Sequence, residues 1–157
     1  MRRITSSLLL LVLSVASLRA ISVHADDGLK GIDTSHGTCR KLMIAGRDRT
    51  SDCKDVLLNT RYVDGRTGFY FVTLDGTMIT FSSPNELAQR QPSRTHVYPI
   101  DSIIFKVEGE IRRVPARGVC RPANPASASS SLSCQANSEV GKFEGEFLAS
   151  ATKASGL

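Results

Sequence analysis

The sequence contains four cysteines, and their spacing limits the bonds that they can form. Thirteen residues separate Cys39 from Cys53, and thirteen also separate Cys120 from Cys134. An even number of cysteines in an exported chain indicates disulfides, and four cysteines permit three connectivities. The local pairs Cys39–Cys53 and Cys120–Cys134 are favoured because they close the shortest loops. Each closure of this length contributes ~3 kcal/mol in the chain-entropy model.

A metal site is the alternative for these cysteines. His36 lies three residues before Cys39, which gives one nitrogen and one sulfur ligand near each other. The chain has no Cys-x-x-Cys pair, however, and such pairs are typical of zinc sites. We therefore predict no metal and no cofactor.

Four arginines form the most unusual charge feature. They lie within ten residues, with no acidic residue among them: Arg112, Arg113, Arg117 and Arg121. Guanidinium groups bind carboxylates and phosphates in planar bidentate contacts, so this set is a candidate contact surface for an anionic envelope polymer or another protein. The favoured alternative is a solvated strand edge whose charge prevents aggregation.

Residues suited to catalysis are few. The sequence contains no Gly-x-Ser-x-Gly, His-Glu-x-x-His or phosphate-binding Gly-x-x-x-x-Gly-Lys motif. His36 and His96 are interpreted as surface imidazoles, and Glu144 and Glu146 as a solvated outer face of a strand rather than a glycosidase pair. Three tyrosines could form an aromatic platform, although core packing is the favoured interpretation for them: Tyr62, Tyr70 and Tyr98. No catalytic residues are assigned.

The first 25 residues have the features of an export signal. Arg2 and Arg3 precede an apolar stretch at residues 8–18, and Val23 and Ala25 occupy the −3 and −1 positions of a cleavage site. Eleven apolar residues fall short of the ~20 that span a bilayer, so an uncleaved anchor is the weaker interpretation. We expect the mature chain to begin at Asp26 and to be periplasmic or secreted, without a membrane span.

Removal of residues 1–25 would leave 132 residues, with 17 basic and 15 acidic side chains. A net charge of +2 is no argument for a nucleic-acid partner. The remaining length is typical of one domain with a modest core. We expect a flexible leader at 26–38, a single disulfide-stapled β domain at 39–148 and a loose tail at 149–157.

Alternation of apolar and polar residues, interrupted by turns, predicts an all-β fold of about eight short strands. The clearest hairpin covers residues 68–82, with Asp75 and Gly76 as the central residues of a type I′ turn. Ser83 and Glu86 have the spacing of a helix N-terminus, which predicts one short helix to about residue 90. A small antiparallel barrel is favoured over a sandwich, because closure removes exposed strand edges.

Five segments of the β domain form a recognisable set: 59–71, the turn at 75–76 with 80–82, YPIDSIIF at 98–105, 118–120 and 134–136. Together they resemble a group of small exported proteins of alphaproteobacteria that has no assigned activity, and the similarity covers most of residues 39–148. It implies a bacterial envelope setting. It implies no functional residues.

Three functions remain open from the sequence. The favoured hypothesis is an exported, non-catalytic binding or interaction module whose ligand is unknown. The alternatives are an envelope hydrolase with an unrecognised site and an inhibitor of a foreign hydrolase. An exposed loop carrying Arg113 or Arg117 at its tip would favour the inhibitor or a binder, whereas acidic residues or a His–carboxylate pair in one cleft would favour the enzyme.

Overall fold

The computed structural model describes residues 28–84, 97–107, 109–122 and 130–150. They form nine strands and one 3-10 turn, η1, at Thr50–Asp52. The strands are β1 (Leu29–Ile44), β2 (Arg47–Asp48), β3 (Cys53–Tyr62), β4 (Thr67–Thr73), β5 (Met78–Ser83), β6 (Tyr98–Val107), β7 (Glu110–Pro122), β8 (Ser131–Ser138) and β9 (Gly141–Ala149).

Eight of the strands close into an antiparallel barrel. Each strand from β3 to β9 pairs with the next, and β1 pairs with both β3 and β9. The short strand β2 extends one end of β1 as a hairpin. The structure therefore confirms the all-β prediction and decides between its two alternatives in favour of a barrel.

Alternation along the strands directs bulky apolar side chains into the barrel. On β4 and β5, Phe69 faces Phe81 and Phe71 faces Ile79 across the sheet, and all four are buried. Gly145 on β9 makes room for these rings, since a Cβ placed there would lie 2.5 Å from the Phe71 ring. The interior is thus a packed core at this level.

Both local disulfides are present, as predicted. Cys39–Cys53 joins β1 to the start of β3, and Cys120–Cys134 joins β7 to β8. Cys120 and Cys134 are directly opposite residues of the β7–β8 ladder, with Cα atoms 4.0 Å apart, and both are fully buried. This second disulfide therefore fastens two neighbouring strands from inside the barrel.

One predicted segment differs from the structure, and others lie outside the described residues. Residues 29–38, expected to be part of a flexible leader, form the first part of β1, because they pair with β3 and, at the end nearer Cys39, with β9. The helix predicted from the N-cap Ser83 to about residue 90 lies mainly outside the described part of the chain. Within the described residues, the helical structure consists of the 3-10 turn η1. The proposed signal peptide and most of the tail also lie outside the described residues.

The type I′ prediction for the β4–β5 turn was wrong. Gly76 has a φ of 83°, but Asp75 does not have a positive φ, whereas a type I′ turn requires one at both central positions. The carbonyl oxygen of Thr77 accepts hydrogen bonds from the backbone N–H and from Oγ1 of Thr73, which close a longer loop. The pair of consecutive positive φ angles occurs instead at Ala45 and Gly46, between β1 and β2.

Candidate functional site

A row of small residues crosses the outer surface of the barrel. Thr60 pairs with Gly68, Gly68 with Ser82, Ser82 with Ser102, and Ser102 with Pro115. Five strands contribute one residue each, and their immediate neighbours along β4 and β5 face the core. Strands are ~4.8 Å apart, so the row is about 19 Å long.

Larger side chains on either side of this row enclose a depression of about 590 Å³, here called the outer groove. Its floor consists of Gly68, Thr80 and Ser82. Its remaining lining residues are Leu29, Tyr62, Asp64, Arg66, Tyr70, Ile104, Ile111 and Arg113. The groove is large enough for a small ligand or a short segment of a polymer.

Tyr70 forms one wall of the groove, and its ring lies close to Gly68 in the floor. A Cβ on Gly68 would lie 2.7 Å from Cε2 of Tyr70 and 2.7 Å from Oγ1 of Thr60, so the close approach of the ring requires glycine. The hydroxyl of Tyr70 is 2.9 Å from that of Tyr62. Burial, followed by this contact with Tyr62, raises the pKa of Tyr70, so the Tyr70 hydroxyl stays protonated near neutral pH.

An ion pair beside the groove links the β3–β4 turn to β6. Arg66 donates to both carboxylate oxygens of Asp101, at 3.1 and 2.5 Å, and to Oγ of Ser82 at 2.9 Å. The hydrogen bonds between Arg66 and Asp101 lower the pKa of Asp101 and raise the pKa of Arg66. The pair is therefore fully charged at neutral pH and holds β4, β5 and β6 together on the outer face.

A shift in strand register places two polar side chains side by side on β6. The β6–β7 pairing changes register between Ile100 and Ser102. Asp101 and Ser102 consequently both reach the outer surface, where Oγ of Ser102 donates to Asp101 at 2.9 Å and accepts from Arg113 at 3.3 Å. Such irregularities commonly redirect side chains at functional sites.

The structure separates the four arginines that the sequence grouped. Arg113 lines the outer groove, whereas Arg117 lines a second, more open depression of about 620 Å³ over β6, β7 and the β8–β9 turn. Arg112 lies at the start of β7, 3.8 Å from Glu110. Arg121 is exposed and forms no ion pair with any described residue. Arg113 and Arg117 thus line different depressions, although both lie with Arg121 on the outer face of β7, and neither Arg113 nor Arg117 is at a loop tip.

Of the predicted tyrosine platform, two members meet. Tyr62 and Tyr70 lie on the outer face, where the favoured core interpretation does not apply. Tyr98 packs against Phe69 in an edge-to-face arrangement with ring centroids 5.0 Å apart, as the core interpretation expected. The platform thus comprises two rings rather than three.

Glu144, Glu146 and His36 do not line the outer groove. Glu144 is on the outer face, but its side chain is only 8% exposed and binds Lys142 at 2.9 Å and Lys41 at 3.1 Å. The prediction of a solvated carboxylate was therefore wrong for Glu144, whose pKa is lowered first by Lys142 and then by Lys41. His36 is exposed on β1, and His96 lies outside the described residues.

Sequence reasoning missed Arg66 and Asp101, which are 35 positions apart and have no shared local pattern. Gly68 was easier to detect, because a glycine inside a β-rich stretch with an aromatic residue two positions later indicates a ring packed over the backbone. The alternation of Thr80 and Ser82 with apolar neighbours likewise indicates a polar outer face.

Within the part of the chain that the structure describes, no group of three or more His, Cys, Asp or Glu residues could hold a metal ion. Both disulfides also leave no free thiol among these residues. None of the described helical segments is long and apolar enough to cross a membrane.

Comparisons with known proteins add no further assignment. The chain matches no protein-family model, no curated protein and no solved structure. Its function is therefore inferred from the barrel, the two disulfides and the outer groove.

Proposed function

We propose that this protein is an exported, non-catalytic binding domain of the bacterial envelope, acting in the periplasm or outside the cell. Two disulfides support an oxidising compartment, since such bonds form and persist there. The signal-like residues 1–25 and the resemblance to small exported proteins of alphaproteobacteria support the same setting.

The outer groove is the observation that carries the binding role. It combines two tyrosines, exposed aliphatic side chains and two arginines in one concavity of about 590 Å³. Ligand sites commonly pair an apolar lining with a few polar groups that orient the ligand. The strands beneath the groove are fully paired with one another, so a ligand would be recognised by side chains rather than by addition of a strand.

A fragment screen by NMR tests this proposal. Uniformly ¹⁵N-labelled protein lacking residues 1–25 is titrated with monosaccharides, short peptides and small organic acids. We expect the amide shifts caused by binding fragments to concentrate on Gly68, Ser82 and Ile104. The Ile104→Arg variant fills the groove and should remove these shifts, whereas Val140→Arg, in the exposed β8–β9 turn, should retain them.

Fragments that bind only elsewhere on the barrel, or bind Ile104→Arg as well as the parent protein, would contradict the groove as the binding site. Because the fragments differ in charge and polarity, this result does not depend on the chemistry of any one ligand.

A further inference from the structure

Arg113 is a cation of the outer groove whose hydrogen-bonding capacity is largely unused. A guanidinium carries five N–H donors. Among the described residues, Arg113 uses one of them, in a 3.3 Å contact with Oγ of Ser102, and no described carboxylate forms an ion pair with it. Arg66, whose guanidinium reaches the neighbouring Asp101, makes three hydrogen bonds to Asp101 and Ser82.

The nearest acidic group does not satisfy Arg113. Both oxygens of Asp101 accept hydrogen bonds from Arg66, and one also accepts from Ser102. The acidic lining residue Asp64 lies in the β3–β4 turn, several strands from β7. The β7 end of the groove is consequently cationic and open to an added anion.

Apolar side chains flank the Arg113 guanidinium. Ile104 is its direct partner across the β6–β7 ladder, and Ile111 precedes it by two residues on the same face. Ile111 is 76% exposed, an unusual state for a large aliphatic residue that borders a concavity. Covering these two side chains with an aliphatic group would remove apolar surface from water, which favours binding.

We infer that the outer groove binds ligands carrying a carboxylate beside an aliphatic group. This inference rests on the proposed binding function and names its ligand class. The carboxylate accepts two parallel hydrogen bonds from Arg113, and the aliphatic group covers Ile104 and Ile111. Free aliphatic acids and the C-terminus of a peptide ending in an aliphatic residue share this chemistry.

The first test compares hexanoate with hexanamide, which has the same tail but no charge. Titrations are followed by the amide shifts of Ser102, Ile104 and Arg113. We expect hexanoate to bind about tenfold more tightly than hexanamide, as is typical for a charged hydrogen-bonded contact. Arg113→Gln should abolish this preference, whereas Arg121→Gln, which removes the same charge from an exposed position on β7, should retain it.

A matched pair at Ile104 tests the site from the opposite strand. Ile104→Glu places a carboxylate directly opposite Arg113, where it forms an ion pair with the guanidinium and competes with a bound ligand. Ile104→Gln has nearly the same shape without the charge. We expect Ile104→Glu to abolish the preference for hexanoate over hexanamide. Ile104→Gln should weaken the binding of both probes, because it removes the contact with their aliphatic tails, but should retain the preference for hexanoate.

Two further probes distinguish the sources of the carboxylate: acetyl-Ala-Ala-Leu and its C-terminal amide. Tighter binding of the peptide acid than of hexanoate indicates a peptide terminus, and the reverse indicates a free acid. Equal binding of the acids and their amides, or binding unaffected by Arg113→Gln, would overturn the inference. Neutral fragments that still bind the groove in the screen above would leave the proposed function standing in that case.

Discussion

At the scale of single residues, the charged groups of the outer surface differ in how completely they are satisfied. Asp101 is held by Arg66 and Ser102, and Glu144 by two lysines. With the residues that the structure describes, Arg113 makes a single long hydrogen bond. The satisfied groups position the strands and the groove wall, while Arg113 remains available to a ligand.

The Arg66–Asp101 pair predicts a pH-dependent contribution to stability. The pKa of Asp101 is lower in the folded protein than in the unfolded chain, so the contribution is present above about pH 4 and declines as the pH falls through the folded-state value. The side chain of Asp101 is 39% exposed, and screening limits the contribution to about 1 kcal/mol or less.

Urea denaturation of the parent protein and Asp101→Asn checks this expectation. The parent should be more stable at pH 7, and the difference between the two proteins should shrink at pH 3. Glu139→Gln is the control, because Glu139 is exposed and forms no ion pair with any described residue. A difference that stays constant from pH 7 to pH 3 would show that the charge of Asp101 does not contribute.

At the scale of elements, the β1–β2 hairpin carries a local conflict between residue and conformation. Ala45 has a φ of 51° and Gly46 a φ of 80°, in a two-residue turn between the paired residues Ile44 and Arg47. The left-handed conformation costs an ordinary L-residue about 1–2 kcal/mol, whereas asparagine adopts it readily. Ala45 is exposed, so its side chain can be replaced without entering the core.

Ala45→Asn should therefore raise the free energy of unfolding by about 0.5–1 kcal/mol. Ala45→Val should lower it, because a β-branched residue fits poorly at positive φ. Thermal and urea denaturation of the two variants provide the measurement. If Ala45→Val proved as stable as Ala45→Asn, the turn would not have the described conformation in solution.

At the scale of the whole molecule, the two disulfides close loops of equal length but differ in how deeply their sulfur atoms are buried. Both close a sequence separation of 14 residues. Cys120 and Cys134 are fully buried, Cys39 is 8% exposed and Cys53 is half-buried. The contribution from loop closure is the same for both, so a difference in stability between them reports the packing of the sulfur atoms.

Replacing Cys39 and Cys53 together with alanine should cost about 3 kcal/mol of unfolding free energy, the loop-closure value. Replacing Cys120 and Cys134 should cost about 1 kcal/mol more, because it also leaves a cavity among buried side chains. Denaturation under non-reducing conditions measures both losses. Equal losses would mean that the interior closes around the missing sulfur atoms.

The sequence by itself determined the local features of this protein. Strand alternation has a period of two residues, so the direction of Phe69, Phe71 and Phe81 relative to their neighbours could be inferred from the chain. The local disulfides followed from the short loops that they close. The β4–β5 hairpin was correctly located, but its turn type was not, since Asp-Gly is compatible with more than one turn.

Only the tertiary structure decided how the strands align, and the outer groove depends on that alignment. Thr60, Gly68, Ser82, Ser102 and Pro115 form one row because the register of four successive strand pairs brings them together. Register is set by packing between residues distant in sequence, and a shift of one residue would turn each side chain to the opposite face. The same long-range pairing brought Arg66 to Asp101.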